Sequence, residues 1–403
     1  MALAADLQAQ DTISYKPTAS YSFIKNEMNV IHHLEYLESF YEKLVELRST
    51  SMGVINIIHL GDSHIQGDYL TKSTRTLLQE KFGNAGLGLI FPGRIARTNE
   101  SLLIYSSAKG QWTGGRLTYS QNPLPMGIGG MAVKTLLAGN SIKIKSLSQN
   151  YSFNRMTLFF QKDYNSYSVI VKDSTGIPLA MAGAFSEEEY PNVSKLILPY
   201  SINQVLFETN QSLATQKQFI LFGVSLENSN PGIRYHIIGV NGAKYKHFIA
   251  ARELLNQTPA LNPDLIIISL GTNEAVEHPN IDPQFTSQLS TLTSELKRVN
   301  PNAIILLTTT PNFYKKRTRI NPSISVINTK IIEFANTNNI PFWNLHEVAG
   351  GNHAGDWWKK HELIQTEGIH FTKKGYDLQG HLLFEAIIKG YNEYVLDRHS
   401  KTH

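Results

Sequence analysis

Strands and helices alternate regularly along the second half of the sequence. Residues 265–270 and 303–307 are apolar runs of strand length, the second within a predicted strand at 303–309, and predicted helices follow at 283–299 and 320–335. Continuous apolar runs of this length are typical of strands buried on both faces of a sheet. The alternation therefore predicts a mostly parallel sheet with helices on both sides, which is a three-layer α/β/α fold.

The same pattern occurs near the start of the chain. Residues 54–60 form an apolar run rich in β-branched side chains, and the amphipathic stretch 69–82 predicts a helix after it. Between them lies the motif Gly61-Asp62-Ser63-His64. Residues 31–47 carry apolar side chains at helical spacing and predict a helix before the first strand.

A different sequence pattern separates the two α/β parts. After a glycine-rich stretch, 83–93, which we interpret as a loop, helical periodicity disappears and short β-type runs are separated by turn-forming segments. Short strands at such spacing predict a β-sandwich or jelly roll. We therefore expect residues 105–234 to form an insert within one α/β domain made of residues 20–104 and 235–397. The predicted strands of the insert are 141–147, 155–161, 168–172, 204–209 and 218–224.

Composition excludes several classes of function. The net charge of +4 is too small to indicate a nucleic-acid partner, and no apolar run approaches the roughly 18 residues of a membrane span. The chain has no Cys, so disulfides, zinc–thiolate sites and thiol nucleophiles are excluded. Its His residues lack carboxylates at ligand spacing, and no phosphate-binding loop follows a strand, so we expect neither metal nor cofactor.

Ser63 is the candidate nucleophile because it follows a strand and begins a helix, at the edge of the sheet where ligands bind. An ordinary N-cap serine is the alternative. Catalysis also needs a base, and His370 precedes the last predicted helix, with Glu367 three residues earlier to orient its ring. Asp356 and Glu362 are possible substitutes for Glu367.

An oxyanion needs hydrogen-bond donors at the same edge of the sheet. Asn273 follows the predicted strand 265–270, and Gly242 follows another predicted strand, 235–239. A glycine allows its backbone N–H to approach a ligand closely. Both residues also fit ordinary turns.

Together these residues resemble a known family. Gly61-Asp62-Ser63, Gly242, Gly271-Thr272-Asn273 and His370 match, in order, the four sequence blocks of the SGNH (GDSL-type) hydrolases, whose parallel sheet is flavodoxin-like. The resemblance implies Ser63 as nucleophile, His370 as base, and Ser63 N–H, Gly242 N–H and the Asn273 side chain as the oxyanion hole. The family usually has Asp where this chain has Glu367.

The order of the parts resembles the bacterial peptidoglycan O-acetylesterases, in which a carbohydrate-binding-module-like insert separates the first two blocks. This implies a serine esterase that removes acetyl groups from an O-acetylated glycan, with 6-O-acetyl-N-acetylmuramic acid as the expected substrate. Alternatives are an ester of another polysaccharide or a lipid, acetyl transfer, or a non-catalytic glycan-binding protein. His64, Trp357 and Trp358 are candidate substrate contacts.

The resemblance also bears on localisation. The first ten residues lack the basic and apolar regions of an intact signal peptide but fit the trimmed end of one. Together with the absence of Cys, this leads us to expect a periplasmic or secreted protein.

Overall fold

A six-stranded sheet forms the centre of the computed structural model, which describes residues 12–17, 21–119, 124–186, 188–277, 279–315 and 319–401. Strand Val54–Gly61 lies between Gly232–Gly239 and Leu265–Ser269 and runs parallel to both. Only the short edge strand Ile31–His32 is antiparallel to its neighbour. The predicted α/β fold is therefore confirmed. The strand order is Ile31–His32, Phe342–Trp343, Ile304–Thr308, Leu265–Ser269, Val54–Gly61 and Gly232–Gly239.

Helices cover both faces of this sheet. Successive side chains of a strand point to opposite faces, and accordingly Ile57 and Ile58 belong to two different buried apolar clusters. The cluster of Ile57 includes residues of helices Glu38–Thr50, Tyr69–Phe82 and Lys373–Lys401, and that of Ile58 includes residues of the helices on the other face. The latter helices are Tyr245–Ala250, Arg252–Gln257, Phe285–Val299 and Ser323–Thr337.

Two antiparallel sheets form the β-rich insert, and their buried side chains share one apolar cluster, which continues onto the Ile58 face of the parallel sheet. The fold thus contains the predicted β-rich insert. One sheet has the order Pro178–Ala182, Ser168–Lys172, Gln204–Asn210, Ser141–Ser146 and Ile104–Lys109; the other has Val193–Ile202, Phe153–Phe160, Phe219–Glu227, Met131–Thr135 and Thr113–Arg116.

The interpretation of residues 83–93 as a loop is wrong, because they contain the buried strand Gly86–Ile90, which pairs with Phe219–Glu227. Its glycines allow the backbone to pack tightly. Gly88 has a φ of +85°, and a Cβ there would lie 2.7 Å from the carbonyl oxygen of Tyr235. The glycines that suggested a loop therefore permit close contact between the insert and the parallel sheet.

Other differences concern the ends of elements. The helix predicted at 31–47 begins only at Glu38, because the preceding residues form the edge strand and a 3-10 turn. The last helix is Lys373–Lys401. No helix in the described part of the chain is long and apolar enough to cross a membrane. The remaining short elements are helices Ser63–Gln66, Thr272–Val276, Leu345–Val348 and Gly355–Lys360, strands Tyr314–Lys315 and Arg319–Ile320, and 3-10 helices Asn26–Met28, Leu34–Leu37, Gln149–Tyr151, Thr258–Leu261 and Gly351–His353.

Candidate active site

Ser63 is the first residue of the short helix Ser63–Gln66, directly after the central strand. The N-cap is Asp62, whose Oδ1 accepts a hydrogen bond from His64 N at 2.9 Å. Ser63 is therefore not the N-cap residue, and its hydroxyl is free for another role. Its side chain is half-buried at the carboxyl edge of the sheet.

A hydrogen-bonded chain links Ser63 to a base and an acid. His370 Nε2 lies 3.0 Å from Ser63 Oγ, and His370 Nδ1 lies 2.6 Å from Glu367 Oε1. The same carboxylate accepts backbone N–H groups, from His370 to Oε1 at 2.9 Å and from Ile369 to Oε2 at 2.6 Å. Glu367 is thus held by its own loop and can orient the His370 ring with Nε2 towards serine.

The two alternative acids take other roles. Asp356 Oδ1 accepts the hydroxyl of Tyr314 at 2.8 Å, and Glu362 is exposed. Tyr314 also supports the histidine loop, because its backbone N donates to Gly368 O at 2.7 Å. Gly368 has a φ of +85°, and a Cβ there would lie 2.9 Å from Tyr314 Cβ. This close contact shapes the turn that brings Glu367 to the ring of His370.

The predicted oxyanion donors follow the two strands that flank Val54–Gly61. Asn273 is in helix Thr272–Val276, and its Nδ2 donates to Asp62 Oδ2 at 3.2 Å and to Ala243 O at 3.0 Å. Gly242 is half-buried with a φ of +78°. Since both N–H groups of the Asn273 amide are engaged, an oxyanion would have to take one of them in exchange, as often happens when a substrate binds.

Two buried side chains that the sequence did not single out fix the Gly242 loop. Gln66 Oε1 accepts Asn241 N at 2.7 Å, and Glu274 Oε1 accepts Tyr245 N at 2.9 Å. Gln66 belongs to the helix of Ser63, and Glu274 follows Asn273. Both ends of the loop are thus attached to elements that carry predicted catalytic residues. Proximity to the motifs was the only sequence signal for either.

Burial shifts the pKa values of three titratable side chains near Ser63. It raises the pKa of Asp62 to about 6, against the lowering effects of the His64 N–H, the His370 charge and a hydrogen bond with Thr272. Burial likewise raises the pKa of Glu274 to about 7, although the Tyr245 N–H opposes this. Burial and the nearby His370 lower the pKa of His64 to about 3. His64 is therefore neutral at physiological pH.

The candidate substrate contacts differ in accessibility. His64 is buried, and its Nδ1 lies 2.9 Å from the hydroxyl of Tyr376. Trp358 is only 3% exposed, and its Nε1 donates to Ala349 O. The prediction that Trp358 contacts substrate therefore needs correction, because its ring packs in the core against Phe371. Trp357 is 43% exposed and remains accessible.

No group of three or more potential metal-ligating His, Asp or Glu side chains occurs within the described residues. The described site instead consists of a hydroxyl, an imidazole, a carboxylate and amide donors. These groups can perform nucleophilic acyl transfer through a serine.

One protein family matches part of the chain. Residues 221–378 match the model of the GDSL-like Lipase/Acylhydrolase family, a segment that includes Gly242, Asn273, Glu367 and His370 but not Ser63. A search of curated proteins found no match.

Solved structures with a similar fold include a peptidoglycan O-acetylesterase, with a TM-score of 0.73 and 20% identity over 88% of this chain and 96% of that one. A family two carbohydrate esterase from Cellvibrio japonicus gives a TM-score of 0.30 and 14% identity, over 72% of this chain and 99% of that one. A lipase/acylhydrolase from Enterococcus faecalis gives a TM-score of 0.33 and 22% identity, over 39% of this chain and 77% of that one.

Proposed function

We propose that this chain, which carries a GDSL-like acylhydrolase domain and is an SGNH-type esterase, removes O-acetyl groups from a glycan, namely 6-O-acetylated N-acetylmuramic acid in peptidoglycan. The observation that carries the proposal is the continuous chain of hydrogen bonds from Ser63 Oγ through the His370 ring to Glu367. A serine hydroxyl becomes an effective nucleophile when such a base is within hydrogen-bonding distance.

The reaction proceeds in two steps. His370 Nε2 takes the proton of Ser63 Oγ as that oxygen attacks the acetyl carbonyl, and it then protonates the departing sugar oxygen. Water next attacks the acetyl-serine and gives a proton to His370 Nε2, which passes this proton to Ser63 Oγ as the bond between Oγ and the acetyl carbon breaks and acetate is released. The developing oxyanion is held by the N–H groups of Ser63 and Gly242 and by the Asn273 amide.

The insert supports a polymeric glycan as substrate, because it reaches the active-site loop. Thr118, in the turn after strand Thr113–Arg116, donates from Oγ1 to Asn241 O at 3.2 Å. A substrate bound at Ser63 would therefore lie next to the insert. We assign this insert, predicted at residues 105–234 and with strands from Ile104–Lys109 to Phe219–Glu227, as a carbohydrate-binding module; residues 232–234 belong instead to strand Gly232–Gly239 of the parallel sheet. Peptidoglycan as substrate places the protein in the periplasm or outside the cell.

Acetate release from O-acetylated peptidoglycan tests the proposal, with acetylated xylan and a lipid ester as competing substrates. We expect the wild-type protein to prefer peptidoglycan and Ser63→Ala to lose at least about 1,000-fold of its turnover. A preference for xylan or lipid would overturn the peptidoglycan assignment.

Three further outcomes concern the reaction itself. Acetate found on an added glycan acceptor would indicate acetyl transfer. Full activity of Ser63→Ala would overturn the mechanism, and glycan binding by a wild-type protein that hydrolyses no activated acetyl ester would indicate a non-catalytic role.

A further inference from the structure

The turn of the insert next to the oxyanion loop carries a positive charge. Arg116 ends strand Thr113–Arg116, two residues before Thr118, and its side chain is half-buried. Thr118 Cγ2 is the nearest heavy atom to a Cβ built on Gly242, at 3.9 Å. The Gly242 side of the site is therefore bordered by the segment that contains Arg116.

Hydrogen bonds fix the Arg116 guanidinium beside the helix of the nucleophile. Its Nη1 donates to Thr98 Oγ1 at 3.2 Å, and the same oxygen accepts Gln66 Nε2 at 2.8 Å. The guanidinium carbon lies 4.4 Å from the centre of the Tyr119 ring. The group is thus held between Thr98 and Tyr119, two hydrogen bonds away from the helix that begins with Ser63.

This guanidinium has no counter-ion within the described part of the chain. Its Nε is buried without a hydrogen-bond partner. The acid of the neighbouring loop, Glu100, is already bound by Arg94 and Ser106. Arg97, adjacent to Thr98, is exposed and likewise forms no ion pair with a described residue. The segment of the insert that borders the Gly242 loop therefore carries a positive charge, at Arg116, that forms no ion pair with a described residue.

We infer that Arg116 binds a carboxylate of the substrate and thereby selects acidic glycans. A guanidinium is a planar donor that matches a carboxylate, and a position fixed by Thr98 and Tyr119 reduces the entropy lost on binding. The inference rests on the proposed function for the identity of the glycan: N-acetylmuramic acid carries a lactyl carboxylate on the sugar that bears the acetyl ester. An acetylated neutral sugar offers no such group.

Inhibition of 4-nitrophenyl acetate hydrolysis tests the inference without a natural substrate. The probes are N-acetylmuramic acid and its methyl amide, which lacks the charge, at pH 7.5. We expect the acid to inhibit the wild-type protein about 10-fold more strongly than the amide, and Arg116→Gln to abolish this difference. Because each variant is compared between two inhibitors, a change in its basal turnover does not affect the result.

Two further variants control the experiment. Arg298→Gln removes an exposed arginine of helix Phe285–Val299 that pairs with Glu295, and should keep the 10-fold preference. Arg116→Lys keeps the positive charge and should therefore retain part of the preference for the acid. This variant replaces Arg116→Gln if circular dichroism shows that Arg116→Gln is unfolded.

The inference is overturned if the acid and the amide inhibit the wild-type protein equally, or if the Arg116 variants keep the full preference for the acid over the amide. Failure of the proposed function would appear separately, as an absence of acetate release from peptidoglycan by a wild-type protein that still distinguishes the two inhibitors.

Discussion

Glu367 binds His370 at two points, since its Oε1 lies 2.6 Å from the ring Nδ1 and 2.9 Å from the backbone N of the same residue. Glu has one methylene more than the Asp expected at this position. The loop accommodates the longer side chain by folding it back onto the N–H groups of residues 369 and 370. The Glu367 carboxylate can thus hydrogen-bond to the His370 ring from the position where the family usually has Asp.

Substitution of this carboxylate should lower turnover. Glu367→Gln keeps the size of the side chain but loses the charge that stabilises the imidazolium, so we expect kcat to fall by about 100-fold or more. Glu367→Asp should lose less, because the charge remains. Hydrolysis of 4-nitrophenyl acetate measures both. Unchanged turnover of Glu367→Gln would indicate a working Ser63–His370 dyad.

Removal of the Asn273 amide should affect the chemical step. One oxyanion donor contributes on the order of 3 kcal/mol to the barrier, so Asn273→Ala should lower kcat by about 100-fold or more with little change in KM. Steady-state kinetics on an activated acetyl ester measure this. Asn338→Ala, at an exposed helix end, is a matched control. A purely raised KM in Asn273→Ala would contradict the oxyanion role.

The buried carboxyl of Glu274 should make stability depend on pH. Its pKa of about 7 in the folded protein lies above the unfolded value of about 4.3. The folded state therefore binds more protons between these values, and stability falls as pH rises through this range.

Glu274→Gln keeps an acceptor for Tyr245 N but does not titrate. From pH 5 to pH 8 the stability of this variant relative to the wild-type protein should therefore rise by about 2 kcal/mol. Urea unfolding at the two pH values measures the difference. A constant difference would show that Glu274 does not hold a proton in the folded protein.

Replacing Trp358 by Ala should lower the free energy of unfolding more than replacing the adjacent Trp357. Trp358 is buried against Phe371 and Phe23, so Trp358→Ala should destabilise the protein by about 3–5 kcal/mol. Trp357, which is exposed and stacks on Phe23, should cost about 1 kcal/mol or less when replaced by Ala. Denaturant unfolding of the two variants compares them directly. Equal losses would contradict the burial difference.

The fold class and the order of the catalytic motifs could be predicted from the amino-acid sequence. Apolar runs such as 54–60 and 265–270 predict buried parallel strands because periodicity and length are local properties of the chain. The motifs around Ser63, Asn273 and His370 could be found for the same reason. Parallel strands bring their carboxyl ends to one edge, so the proximity of these motifs followed from the fold class.

Which side chains contact one another, and which are buried, depends on how distant segments pack in three dimensions. The strand Gly86–Ile90 pairs with Phe219–Glu227, and Gly88 packs closely against Tyr235; both partners are distant in the sequence. Gln66 and Glu274 became identifiable only through their hydrogen bonds to the Gly242 loop. Trp357 and Trp358 both contact Phe23, but Trp358 is also buried against Phe371 whereas Trp357 is 43% exposed. Burial and hydrogen bonding at these positions depend on segments that local sequence patterns do not connect.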